Sequence, residues 1–174
     1  MIMAILFYLL CSILATFILF GFVALFAGPG GRGVPFVPTS RKHMRAMIRL
    51  AGEVRGKRIA DLGSGDGKVV IVFAAQGAEA HGYELNLILV WWSRLRIMFS
   101  RKGGRAHVHW GNYWKKDFSG FDVVIVFGLP PMMGKLEEKL RRELRPGACV
   151  LSNSFSFPTW MIEKQEDGVR LYVK

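Results

Sequence analysis

The chain opens on one long apolar block and then settles into short apolar runs separated by polar turns. From Ile2 to Ala27 almost every position is apolar, and no charged residue occurs before Arg32. A helix of that length spans about 39 Å against a hydrocarbon core of roughly 30 Å, so it can cross a bilayer with some tilt. A secretory signal peptide is the competing reading. It would bring a basic n-region and a shorter apolar core, and the segment has neither, so a retained anchor over 1–27 is expected. Gly28-Pro-Gly-Gly-Arg-Gly-Val-Pro-Phe-Val-Pro38 cannot continue a helix, and a Gly/Pro linker is expected over 28–40. Thr39 or Ser40 can cap the next helix, about 41–51, where Met44, Met47, Ile48 and Ala51 repeat at helical spacing.

Beyond that helix the pattern alternates between strand-length and helix-length runs. Strands are expected at 58–62, 80–85, 106–110, 122–127, 148–152 and 169–173, with helices at 68–76, 87–100 and 132–144. The fourth strand is the plainest: Val123-Val-Ile-Val126 is β-branched throughout, as a strand buried on both faces should be. Pro146-Gly147 stops the last helix. Such alternation predicts an α/β fold with a doubly wound, Rossmann-like sheet over 41–174, preceded by one transmembrane helix.

One turn in this pattern carries chemistry. The first strand ends in Asp61 and passes into Leu-Gly-Ser-Gly-Asp-Gly67, with Gly63, Gly65 and Gly67 alternating, before the helix resumes at Lys68. Glycine lets the backbone lie directly against a ligand, and the following helix points its free N–H groups at the same spot. Glu84 lies about 20 residues on, where a carboxylate can accept both hydroxyls of a ribose. The spacing is Gly-x-Gly-x-Gly rather than the dinucleotide Gly-x-Gly-x-x-Gly, and Lys68 stands where the third dinucleotide glycine would fall. Asp61 and Asp66 also bracket the turn with negative charge, which suits a cationic ligand better than a pyrophosphate. A sulfonium with an amino-acid tail, S-adenosylmethionine, meets both conditions.

Charge adds an orientation. The net charge is +11, all of it outside the apolar block. Arg32, Arg41, Lys42, Arg45, Arg49, Arg55, Lys57 and Arg58 follow that block against the single acid Glu53, which by the positive-inside bias keeps the globular part on the cytoplasmic or matrix side. The basic face of the 41–51 helix is a solvated surface by default, and beside a bilayer it can attract anionic lipid headgroups. No recognition-helix or RNA-binding fingerprint accompanies the basic charge, so nucleic acid is not expected as a partner. Cys11 and Cys149 suggest neither a disulfide framework nor a metal site. His107 and His109 share a strand face, but the sequence places no third ligand, so no metal is expected.

Six segments occur in order: Pro35-Phe-Val-Pro-Thr-Ser40, Asp61-Leu-Gly-Ser-Gly-Asp-Gly67, Gly82-Tyr-Glu-Leu-Asn86, Phe127-Gly-Leu-Pro-Pro-Met-Met133, the helix 136–144 and Phe155-Ser-Phe-Pro-Thr-Trp160. In this the chain resembles the membrane-anchored, seven-stranded class I protein-lysine methyltransferases that modify the ATP synthase c subunit and the ADP/ATP translocase, with their prokaryotic relatives. The resemblance implies a cofactor site of Asp61, Gly63, Ser64, Gly65, Asp66, Gly67 and Glu84, with Asp66 near the methionine end. It puts Asn112 at the adenine amine, where relatives often carry Asp. Leu129 and Met132 replace the polar and aromatic members of the usual post-strand loop, which fits an aliphatic amine acceptor. Pro130, Pro131 and Trp160 would align the substrate, and Pro38, Thr39, Leu129, Met132, Phe155 and Phe157 would contact it. Ordinary core packing is the competing reading for Phe155 and Phe157, and Trp160 can alternatively hold the ammonium by cation–π contact. No dedicated general base is expected, and the implied substrate is a small integral membrane protein. A lipid or quinone acceptor, and a non-catalytic cofactor-binding protein, are the alternatives.

Overall fold

Seven strands form one sheet in the order β3-β2-β1-β4-β5-β7-β6. The computed structural model describes residues 2–27, 36–100 and 104–174. The chain divides into two units, Met1–Phe36 and Val37–Lys174. In the first, α1 (Ile2–Ala27) is one uncharged helix, and its residues Ile2–Gly21 are long and apolar enough to cross a membrane. The hydroxyl of Thr16 donates to the Ser12 carbonyl at 2.9 Å, so this polar side chain is satisfied within the helix.

The second unit carries the alternation expected of a doubly wound sheet. Its elements are α2 (Arg41–Ala51), β1 (Arg58–Leu62), α3 (Lys68–Ala75), β2 (Glu79–Glu84), α4 (Leu87–Phe99), β3 (Ala106–Trp110), a 3-10 turn (Tyr113–Lys115), β4 (Val123–Val126), α5 (Pro130–Glu143), β5 (Cys149–Asn153), β6 (Lys164–Glu166) and β7 (Val169–Val173). Strands β1 to β5 run parallel, and β7 returns antiparallel beside β5. Side chains alternate between the two faces. Val123 and Ile125 join the core beneath α2, α3 and α4, whereas Val124 and Val126 join the one beneath α5. Such two-sided burial is what the β-branched run of β4 required.

Two expectations from the pattern need correction. A seventh strand, β6, which the resemblance implied and the apolar pattern missed, pairs only with β7; its Lys-Gln-Glu sequence has no apolar alternation to announce it. Helix α5 begins at Pro130, not Met132, because proline at the first turn lacks only an N–H that would have no intrahelical partner. The basic stripe of α2 is solvent-exposed along its length, as expected, with two of its residues also paired. Arg49 Nε donates to Glu166 at 2.7 Å and Lys42 pairs with Asp167 at 3.2 Å, while Arg41 and Arg45 have no acid partner among the described residues. Ser40 supplies the α2 cap by accepting from His43 N, and of the 28–40 linker residues 28–35 lie outside the described residues.

The connection from β3 to β4 holds only a 3-10 turn, so no α-helix roofs β2 and β3 on the α5 side. Imidazoles line that face instead. His81 stacks on both His107 and His109, and its Nδ1 lies 3.1 Å from His109 Nε2. Among the described residues no group of His, Cys, Asp or Glu is arranged to hold a metal ion.

Candidate functional site

β1 pairs with β2 on one side and β4 on the other, so the chain reverses its winding direction at the carboxyl end of β1. Ligands of open α/β sheets bind outside the strands' carboxyl ends at that kind of reversal. The turn 63–67 occupies it. Gly63, Gly65 and Gly67 have φ of 79°, 52° and 72°. The N–H groups of Gly63 and Ser64 donate to the Tyr83 carbonyl at 2.9 and 3.1 Å, fastening the turn to β2. A Cβ on Gly63 would meet no atom within 4 Å, so space opens above the turn.

Two glycines are fixed by close approach. At Gly67 a Cβ would lie 2.7 Å from Ser93 Cβ, so its absence admits α4 as well as the left-handed backbone that starts α3. Gly82, inside β2, is the less obvious one: a Cβ there would lie 2.5 Å from Ser64 Oγ. Ser64 thus turns its side chain down onto β2, and its hydroxyl is buried without a hydrogen-bond partner. Only the backbone of Ser64 faces the turn's open side. The sequence signal for Gly82 was a glycine inside a strand run, a mark of close backbone approach.

The three acids converge on the turn in different states. Glu84 Oε2 accepts from Gly65 N at 2.9 Å, and its Oε1 accepts from Leu85 N and Asn86 N, each at 2.8 Å. Asp61 is 7% exposed; burial first, then the charges of Glu84 and Asp66, push its carboxyl up to about 7. Asp66 is taken up within the protein, since the Arg96 guanidinium grips its carboxylate and Lys68 N donates to it at 3.2 Å. No local pattern marks this partner, which arrives from α4, thirty residues downstream.

Around the turn, Lys68 Nζ donates to the Thr39 carbonyl at 2.8 Å, which brings the Pro38-Thr39 segment to the start of α3. The side-chain Oδ1 of Asn112 accepts from Trp114 N at 2.9 Å, leaving its second lone pair for a ligand. Tyr113 beside it has its hydroxyl pushed up to about 12, chiefly by burial and in smaller part by the Glu84 charge.

Next along the edge, Leu129 caps α5 in extended conformation, Pro130 and Pro131 are exposed in its first turn, and Met132 is half-buried. Phe155 leaves β5 and meets Phe127 at 5.9 Å between ring centroids, so it joins this edge. Phe157 and Trp160 do not. Phe157 is buried against Tyr172, and Trp160 Nε1 donates to Val173 O, which pairs with Cys149 at the amino end of β5. Trp160 therefore sits toward the opposite edge of the sheet, where Arg141 lies over its outer face, and the aligning role expected of it is corrected to core packing.

Residues 61–164 match the model of the ANTKMT methyltransferase domain. The mouse lysine N-methyltransferase of the ATP synthase c subunit is 42% identical over 127 residues, 73% of this chain and 51% of that protein. The chain thus spans about half the length of that relative. A protein-lysine N-methyltransferase of Saccharolobus islandicus is 35% identical over 150 residues, covering 80% of this chain and 93% of its own length. Among solved structures, an RNA methyltransferase from Salinibacter ruber in complex with S-adenosyl-L-homocysteine superposes with a TM-score of 0.73 at 29% identity, covering 78% of this chain and 91% of that one.

Proposed function

The chain belongs to the ANTKMT methyltransferase domain family, and from that premise we propose that it is an S-adenosylmethionine-dependent protein-lysine N-methyltransferase acting on a small integral membrane protein, such as an ATP synthase c-type subunit. The observation that carries the cofactor is the open glycine turn at the sheet's reversal point with three carboxylates gathered on it. The donor set fits a cation: Asp61 is buried and short of positive charge, and Glu84, whose carboxylate already accepts from Gly65, Leu85 and Asn86 N–H, keeps a lone pair of Oε2 for a ribose hydroxyl. Gly63, Gly65 and Gly67 would hold the cofactor by backbone, with Asn112 toward the adenine. Bound there, the cofactor supplies an activated methyl group on a sulfonium.

The protein's own part is alignment and desolvation. A lysine amine, ordinarily near 10.4, must lose its proton before it can attack. Leu129, Pro130, Pro131, Met132 and Phe155 form an apolar rim at the carboxyl edge that disfavours the ammonium and lets the neutral amine approach. Pro38 and Thr39 flank the same edge through the Lys68 tie. No general base is assigned. The apolar α1 serves as a single-pass anchor over 1–27, with residues 28–40 as linker and the domain 41–174 on the cytoplasmic or matrix side. Arg41 and Arg45 are left to meet anionic headgroups.

The likeness to the Salinibacter RNA methyltransferase raises a nucleic-acid acceptor as a second reading. The loop 128–132 argues against it, because Leu129 and Met132 offer neither the polar nor the stacking partner a nucleobase needs. Incubating the full chain with labelled cofactor and membranes separates the readings: label is expected in a small membrane protein, on lysine. Label in extractable lipid or in RNA would overturn the acceptor. Glu84→Gln is expected to weaken cofactor binding roughly 10-fold or more, since an amide cannot accept at both positions. Unchanged titration calorimetry with that variant would overturn the ribose assignment.

A further inference from the structure

Helix α4 is apolar on both sides. Leu89, Val90, Ser93 and Ile97 are buried against the sheet. The opposite side of a sheet-covering helix is ordinarily polar. Here Leu87, Ile88, Trp91, Trp92, Met98 and Phe99 lie on it, each between 46% and 78% exposed. At 100° per residue these positions and Leu95 fall within an arc of about 140°. Arg94 and Arg96 stand one at each border of that arc. Trp110, 62% exposed at the end of β3, extends the surface, its Nε1 donating to Leu85 O at 3.1 Å.

The charge carried by this stretch of sequence is of one sign. From Leu85 to Lys116 the sequence holds seven lysines and arginines and no aspartate or glutamate, and its three exposed tryptophans are Trp91, Trp92 and Trp110, Trp114 packing on the core beneath α5. Arg96 is spent on Asp66, but Arg94 donates only to the Val108 carbonyl and keeps its charge unpaired among the described residues. Tryptophan prefers the boundary between headgroups and acyl chains, and helices that lie in that boundary pair an apolar arc with flanking arginines. An apolar arc alone would suit a second copy of the chain. The three exposed tryptophans, the unpaired Arg94 at the border and an apolar α1 on the same chain favour lipid.

We propose that the outer face of α4, with Trp110, docks in the plane of an anionic bilayer surface. Leu87 follows Glu84 by three residues, so docking brings the cofactor edge of the sheet down to the headgroups. Substrate lysines would then be those lying at the membrane boundary. The docking itself stands on exposed side chains and not on the methyl-transfer reading, and its test needs no activity.

Helix α1 contains no tryptophan, so its insertion cannot mimic the signal. The full chain is placed in lipid nanodiscs whose acyl chains carry bromine, a short-range quencher, with and without roughly 30 mol% anionic lipid. Tryptophan emission is expected to be quenched, more so with the anionic lipid, and Trp91→Gln with Trp92→Gln should remove about half of the quenching. Met98→Gln with Phe99→Gln, on the same arc, should reduce it without touching a reporter, and so guards against a fold defect in the first variant. Emission unaffected by bromine, or quenching indifferent to both variants, overturns the proposal. So does protection that arises only when two chains share one disc, which would make the face a contact between copies.

Discussion

Asp61 gives the sharpest test of how the site is charged. Its carboxyl is 7% exposed, no hydrogen bond reaches it among the described residues, and burial with Glu84 and Asp66 moves it from 3.8 up to about 7. Between those values the folded domain holds a proton that the unfolded chain has released. Stability therefore falls as pH rises through that window and stays at its lower level above about pH 7. At 1.36 kcal/mol per pH unit the separation sets a ceiling of about 4 kcal/mol. Asp61→Asn removes the charge and keeps the shape. The variant should match the parent near pH 4 and become the more stable of the two as pH rises, by as much as about 4 kcal/mol at pH 8. At roughly 3–6 °C per kcal/mol, even half of that is a shift of about 6 °C or more in thermal midpoint. On the cofactor reading the same variant binds S-adenosylmethionine more weakly, because the uncompensated carboxylate is what a sulfonium and an ammonium relieve. Melting the full chain and the variant in nanodiscs across that pH range, without ligand, measures the difference directly. A gap that stays constant with pH, or a variant less stable at pH 8, would refute the assignment of a raised, proton-holding carboxyl.

Other outcomes follow from the same geometry. Gly82→Ala should cost about 1–3 kcal/mol by overpacking against Ser64 and Val70, and Ser64→Gly in the same chain should recover most of it; denaturant midpoints of the two variants decide. Burial holds the His81 and His109 imidazoles below their ordinary value, against the pull of Glu79 on His81. Both stay neutral in the fold while the unfolded chain takes up protons below about pH 6.5, so this contribution is present above that pH and lost on acidification. His109→Gln should flatten that acid limb in pH-dependent melting; an unchanged slope would count against the imidazole ladder as its source.

How much could be read from the chain itself varied with the range of the interaction. The strands β1 to β5 and the turn at 63–67 announce themselves through local pattern: β-branched runs, alternating glycines, an acid at the end of each of the first two strands. Contacts made across the sheet leave no local mark. Arg96 neutralises Asp66 from another helix, and Lys68, which by its position only excluded a dinucleotide, ties down the Thr39 carbonyl. Phe157 and Trp160 misled for the same reason. As letters they belong to an aromatic cluster beside the site, but the segment after β5 folds back along β7 and carries them into the core beneath α5. β6 was silent because a three-residue edge strand buries too little to need an apolar pattern.

The bond from Lys68 to Thr39 makes the short segment ahead of α2 intolerant of added length. Between Val37 and Ser40, one added residue shifts a carbonyl that the first residue of α3 is holding, next to the turn that α3 begins from. The register of these four residues is therefore knotted to the glycine turn, and an insertion among them would be felt there.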